Sequence, residues 1–240
     1  MNIGLLVFII VFSIILVLFV GLILTGFFII RGASHTKYIH QIADSYKDDP
    51  QPEFEFAKDL DWFKQEGFFA KERIKSYDHK HIEAYFHKEL NHNYLIFAHG
   101  YTGSPEEKSK CLHMLYDKYK CNMLVMKQRA HGNSEIKYVT MGHREGKDLL
   151  SWIDFIVNSD SEANIIVFGE SMGAATVLYG LDFGYPKNVK CIIADCGYTN
   201  IPTQYEFTSR SIGIPKLVTK IGVFGCTLAF FFIFHIHHLF

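Results

Sequence analysis

Five residues constrain this chain more than any others: Gly169-Glu170-Ser171-Met172-Gly173. They follow an apolar run, Asn164-Ile165-Ile166-Val167-Phe168, and open onto a stretch with a helical pattern. A strand that turns straight into a helix leaves so little room at the corner that only small residues fit beside the middle one. Glycines at 169 and 173 meet that demand. The turn then holds Ser171 out at the end of a strand with its hydroxyl exposed.

The surrounding pattern supplies the sheet that such a corner needs. Glu72–Ser76 and His81–Phe86 flank Tyr77-Asp78-His79-Lys80 and read as a hairpin. Asn93–Ala98 reads as a buried strand ending in His99-Gly100-Tyr101-Thr102-Gly103. Glu106–Lys120 is helical, with Leu112, Leu115, Tyr116 and Tyr119 on one face. Cys121–Lys127 is the next strand, followed by the loop Arg129-Ala130-His131-Gly132-Asn133-Ser134. Gly142–Val157 is a second helix, with Leu149, Trp152, Ile153 and Ile156 at helical spacing. After strand 164–168 come a helix from about Gly173 to Phe183 and a strand, Val189–Ala194, ending at Asp195-Cys196-Gly197. Apolar strands alternating with amphipathic helices form right-handed βαβ units around a mostly parallel sheet. The predicted class is therefore α/β, with helices on both faces of the sheet and the leading hairpin antiparallel at one edge.

The ends of the chain have a different character. Ile3 to Ile30 is a run of 28 residues without a charge. As a helix it would measure about 42 Å, enough to cross a hydrocarbon core of about 30 Å. No Lys or Arg precedes the run and Arg31 closes it, which predicts an uncleaved, single-pass anchor rather than a signal peptide. Arg31 and Lys37 behind the span lean the main domain towards the cytoplasm. Five cysteines (111, 121, 191, 196 and 226) without a paired spacing lean the same way and read as buried reduced thiols. Lys+Arg 24 against Asp+Glu 25 leaves no basic footprint for nucleic acid. The organisation expected is a transmembrane anchor over 1–31, a juxtamembrane linker over 32–67 with Asp48-Asp49-Pro50 and Pro52 as breakers, a core over 68–200, and a partial cap region with an apolar tail over 201–240.

Four signatures fall in one order: a strand then His99-Gly100, the Arg129 to Ser134 loop, the turn at 169–173, and a strand then Asp195. In this the chain resembles the α/β-hydrolase superfamily over about residues 68–200. More narrowly it is similar to membrane-anchored bacterial serine hydrolases related to serine aminopeptidases and acyl esterases. The resemblance implies that Ser171 is the nucleophile. It implies that the backbone N–H groups of Tyr101 and Met172 form an oxyanion hole. It also implies that His99 and His131 order their loops rather than act as the base. The function implied is cleavage of an ester, thioester or amide through an acyl-enzyme, on a small acyl-type or peptide substrate, beside a lipid bilayer. No cofactor or metal is implied, and neither a Walker loop nor a GxGxxG motif is present.

The chain departs from that family after Ser171. The superfamily order is serine, then acid, then histidine. Only 69 residues follow Ser171, with one clear strand among them. Asp195, after the sixth strand, is the available acid by position, and a base is unassigned. Three readings of the tail stand open. It is a truncated C-terminus; or Ile221 to Phe234, at 14 residues, is a short re-entrant or interfacial membrane segment; or His235, His237 and His238 fold back as a substitute base with Asp195. A second polypeptide completing the fold is a further expectation. A non-catalytic, membrane-bound remnant that binds or scaffolds is the alternative function. A sheet ending at 189–194 would also expose an edge and an apolar face.

Overall fold

The computed structural model describes residues 2–45, 53–211 and 213–234. Asp48-Asp49-Pro50, Pro52 and the histidines at 235, 237 and 238 lie outside the described residues. A long helix, α1 (Ile3–Ser34), opens the chain, and two short helices, α2 (Thr36–Ser45) and α3 (Glu53–Phe63), follow it. The chain divides into two compact units, one of Ser34–Tyr198 and the other of Met1–Ala33 with Thr199–Phe240.

The Ser34–Tyr198 unit is built on six strands: β1 (Ala70–Lys75), β2 (His81–His87), β3 (Asn93–Ala98), β4 (Asn122–Met126), β5 (Asn164–Glu170) and β6 (Val189–Asp195). Their order is β1-β2-β4-β3-β5-β6. The β1–β2 and β2–β4 pairs are antiparallel, while β3 runs parallel to both β4 and β5, and β5 to β6. The helices between strands are α4 (Ser109–Tyr119), α5 (His143–Ser159) and α6 (Met172–Phe183). The helix expected over 106–120 is broken: Glu106–Lys108 is a 3-10 turn, and Lys108 (φ −97°, ψ 6°) leaves the helical region before α4 starts.

Alternation along the strands gives the sheet two apolar faces. On one, Leu149, Trp152, Ile153 and Ile156 of α5 and Val177 of α6 pack on Ile96, Leu124, Ile165 and Val167. On the other, Phe63 of α3 and Leu112 of α4 pack on Leu95, Phe97, Met123 and Val125. Each such side chain taken out of water contributes about 1.5–3 kcal/mol. The second face is covered only in part. Over β5 and β6, Ile166 and Ile193 stay 38 % and 42 % exposed. A groove of about 350 Å³ runs there, lined among others by Leu115, Tyr119, Ile166, Phe168 and Ile193.

Segment 32–67, expected as a linker with short helices, contributes the helices α2 and α3 to this unit. Thr36 N–H donates to the Lys137 carbonyl (2.9 Å) and Val139 N–H to that of Ser34 (2.9 Å), so the chain pairs with the 137–139 segment before α2 begins. Ile39 is then completely buried and Phe63 nearly so. The cysteines are all free thiols, but only Cys121 and Cys226 are buried; Cys191 and Cys196 are exposed, because β6 lies at the edge of the sheet.

The other unit contains α1, α7 (Ile201–Ser211) and α8 (Lys216–Phe234). Among the described residues one helix, over Ile3–Phe28, is long and apolar enough to cross a membrane.

Candidate active site

Ser171 sits where β5 passes into α6 with φ 55° and ψ −114°, a conformation that costs a non-glycine residue about 1–3 kcal/mol. The surrounding chain holds it there. Its N–H donates to the Asp195 carbonyl (2.9 Å), and its carbonyl accepts from Ala175 N–H (3.1 Å). A Cβ on Gly169 would overlap the Gly173 carbonyl, and one on Gly173 would overlap the Ala98 carbonyl. The corner is thus closed on both sides by backbone, which is the reason for two glycines. Glu170, between them, is tied to Lys108 at 2.6 Å.

The loop after β3 passes beside the serine: a Cβ on Gly100 would stand 3.4 Å from Ser171 Cβ. The Gly100 carbonyl faces His99 Nδ1 (2.8 Å) and accepts from Gly103 N–H (3.3 Å). In a trans peptide the N–H points opposite to the C=O. Fixing the Gly100 oxygen on His99 therefore aims the Tyr101 N–H away from His99. Met172 is the first residue of α6, so its N–H is one of the helix's four donors without an intrahelical acceptor.

Both ordered histidines have their nitrogens engaged. His99 Nε2 accepts from Gln128 N–H (3.1 Å), which assigns the ring proton to Nδ1. His131 places Nδ1 2.7 Å from the Arg129 carbonyl and Nε2 against the Tyr101 carbonyl. Burial holds His99 well below the ordinary histidine range, and it lowers His131 as well. The two rings meet edge to face at 4.8 Å. His99 thereby clamps the carbonyl of Gly100, and His131, lying between the Arg129 and Tyr101 carbonyls, donates as a neutral ring to one of them. Asp195 is exposed at the end of β6, in register with Glu170, and reaches the corner through its main-chain carbonyl. Among the described residues nothing hydrogen-bonds the Ser171 hydroxyl.

Three features of the site escaped the sequence reading. Ile39 of α2 packs with Ala130, Val139 and Met172 and against Tyr101, so α2 reaches the back of the corner. The spacing of Ile39 and Ile42 was the available signal for an amphipathic turn there. A cavity of about 380 Å³ lies beside the Tyr101 loop, with Ile39, His40, His99, Thr102, Pro105 and His131 among its walls. Beneath the 129–134 loop, buried Arg129 holds Asp148 of α5 (2.6 Å from its second amino nitrogen) and Asp78 of the hairpin turn (2.9 Å). Ser76 also donates to Asp148. Burial pushes the Asp148 carboxyl up to about 6 against the pull of Arg129. Among the described residues no three His, Cys, Asp or Glu side chains are placed to hold a metal ion.

No family model matches the chain. The uncharacterized protein YqkD of Bacillus subtilis is 29 % identical over 120 residues, which is 50 % of this chain and 39 % of that protein. The esterase Pf2001 of Pyrococcus furiosus superposes with a TM-score of 0.54 at 22 % identity, over 66 % of this chain and 62 % of its own. A second crystal form of that esterase gives 0.52 at 26 % identity, over 67 % and 63 %. The chain thus spans less than two thirds of either relative. With the strand order above, these likenesses show that the chain has the α/β-hydrolase fold.

Proposed function

We propose that this α/β-hydrolase chain is a membrane-anchored serine hydrolase that cleaves an ester, thioester or amide through an acyl-enzyme on Ser171. The observation that carries the reading is the corner itself: a serine at φ 55° between glycines that admit no side chain. Strain of this kind is kept only where the surrounding structure over-determines it. Ser171 Oγ would bond to the carbonyl carbon while its proton passes to a base, and the carbonyl electron pair would move onto oxygen. The N–H groups of Tyr101 and Met172 would hold that oxyanion; removing one such donor typically costs about 3 kcal/mol of barrier. Collapse expels the alcohol, thiol or amine with a proton, and water then releases the acid. The esterase named above favours an ester or other small acyl compound over a peptide. α1 would anchor the chain in the bilayer, and the basic residues Arg31, in its last turn, and Lys37, behind it, favour a cytoplasmic Ser34–Tyr198 unit.

A second reading is favoured by one observation: among the described residues the Ser171 hydroxyl lacks a base, since both nitrogens of His99 and of His131 are engaged elsewhere. Without a base a serine is a poor nucleophile. The chain would then be a hydrolase-fold protein that binds or scaffolds. Fluorophosphonate labelling of membranes carrying the full chain separates the two, with Ser171→Ala as the control. Labelling lost in the variant supports the hydrolase; a base from outside the described residues or from a second polypeptide would then be implied. A folded chain that takes no label rules catalysis out and leaves the binding role.

A further inference from the structure

We propose that α8 crosses the bilayer beside α1, so that a helix pair rather than a single helix holds this chain in the membrane. The proposal rests on the reading of α1 as a membrane helix. Its basis is a contact between backbones. A Cβ on Gly26 would overlap the Gly225 carbonyl group and stand 2.7 Å from the Cys226 nitrogen. A Cβ on Gly225 would stand 2.9 Å from the Leu22 carbonyl oxygen. Nothing lies within 4 Å of the same position on Gly21 or Gly222, so the tight fit is confined to one crossing point. Lipid gives helices no hydrophobic reason to associate, and close backbone approach through glycine is how membrane helices gain contact instead.

The outer surfaces of the two helices fit lipid and not water. On α8, Leu217, Val218, Ile221 and Phe224 are 72 %, 58 %, 45 % and 50 % exposed. On α1, Val17 and Leu18 are 70 % and 69 % exposed. A soluble helix pair turns its apolar stripe inward and its polar face out; here glycines meet inside and large apolar side chains face out. Ser13 and Thr25 are the hydroxyl side chains in the Ile3–Ile30 run, and that of Thr25 is satisfied by the Gly21 carbonyl at 2.8 Å.

By length α8 would be a short crossing, since among the described residues α1 is the one helix long and apolar enough on its own. α8 has 19 residues, about 28 Å as a helix against a hydrocarbon core of about 30 Å. Its uncharged part, Ile221 to Phe234, is shorter than that. Lys216 and Lys220 are exposed at the start of α8 and can extend their ammonium groups to the interface while their stems stay in apolar surroundings. Arg31 lies in the last turn of α1 and Lys37 follows it, and Arg210, Lys216 and Lys220 precede the uncharged part of α8. These are the helix ends that the Ser34–Tyr198 segment joins in sequence. The positive-inside rule puts both of them in the cytoplasm, which puts the two termini together on the other side. The pairing also gives α1 a reason to be retained, since its removal would bare Gly225 and Cys226.

The test uses the full chain with an epitope tag at each terminus, in spheroplasts and in inverted membrane vesicles treated with protease. Both tags cleaved from the same side, with the chain retained after alkaline extraction, is the expected result. Tags cleaved from opposite sides would mean that α8 does not cross, overturning the proposal while leaving the α1 anchor standing. A chain released by alkaline extraction would remove the anchor reading itself. Gly26→Leu is expected to lower the fraction of chains with both tags on one side at least about twofold, and Gly21→Leu to leave it unchanged. Equal behaviour of the two variants would overturn the pairing at Gly26.

Discussion

A single methyl group distinguishes the two kinds of glycine in the Ser34–Tyr198 unit. At Gly173 a Cβ would land on the Ala98 carbonyl, backbone that cannot step aside without breaking the β3 to β5 register. Gly173→Ala should therefore cost at least about 3 kcal/mol and abolish fluorophosphonate labelling. Gly67 has φ +78° and open space around it, so Gly67→Ala should cost only about 1 kcal/mol, the strain of a left-handed alanine. Unfolding in detergent followed by Trp62 and Trp152, both in this unit, measures the pair; equal costs would mean the corner is looser than its geometry. The corner was legible in the sequence because steric exclusion leaves its mark as residue identity. The roles of His99 and His131 were legible only through family likeness, because a histidine that clamps a carbonyl and one that takes a proton are the same letter.

Those two histidines also fix a pH dependence. Buried imidazoles held below their ordinary pKa bind fewer protons in the folded chain than in the unfolded one. Their contribution is complete above about pH 6.5 and is lost as the pH falls. Each can steepen the loss by up to about 1.4 kcal/mol per pH unit below about pH 6.5. His99→Gln, which keeps a donor for the Gly100 carbonyl, should flatten the slope by about one proton. Asp148, raised to about 6, acts in the opposite sense below that pH, so the difference between wild type and variant is the quantity to read. An unchanged slope would mean that His99 is not a buried neutral ring.

At the scale of elements, α2 is the piece whose role its composition concealed. Its polar residues marked it as linker, yet one side chain per turn is enough to dock a short helix when a β-like pairing has already set its entry. That pairing, His35 opposite Tyr138, is non-local and therefore invisible to periodicity. Ile39 then closes a cluster with Val139 and Met172. Ile39→Ala should destabilise the docked helix by about 2–5 kcal/mol. Because Met172 supplies a proposed oxyanion donor, labelling of Ser171 should slow by about tenfold, equivalent to about 1.4 kcal/mol of barrier. Limited proteolysis should cut first within α2 while the sheet stays intact. A variant that labels at the wild-type rate would show α2 to be a cover with no bearing on the corner. The βαβ units, by contrast, were legible to within a few residues, since each strand and helix writes its own period.

For the molecule as a whole, the sheet's outer margin sets its behaviour in solution. Among the described residues nothing pairs with the free edge of β6, and Ile166 and Ile193 face outward on one side of it. On α6, Leu178 and Leu181 are 41 % and 49 % exposed as well. The sequence reading anticipated this edge because one clear strand, 189–194, follows Ser171. An unpaired, apolar edge is a template for a second chain. A formal charge of −1 supplies little repulsion to oppose that. The detergent-solubilised protein should therefore bind a hydrophobic dye in its native state and self-associate on dilution of the detergent. Ile193→Lys places a charge at the lip of the groove, where a 42 % exposed position lets the ammonium group reach water. It should reduce association severalfold and dye fluorescence with it, while changing stability by no more than about 0.5 kcal/mol. Light scattering on dilution reads the first effect and tryptophan-monitored unfolding the second. Association unchanged by the lysine would assign self-contact to the membrane helices instead of the sheet.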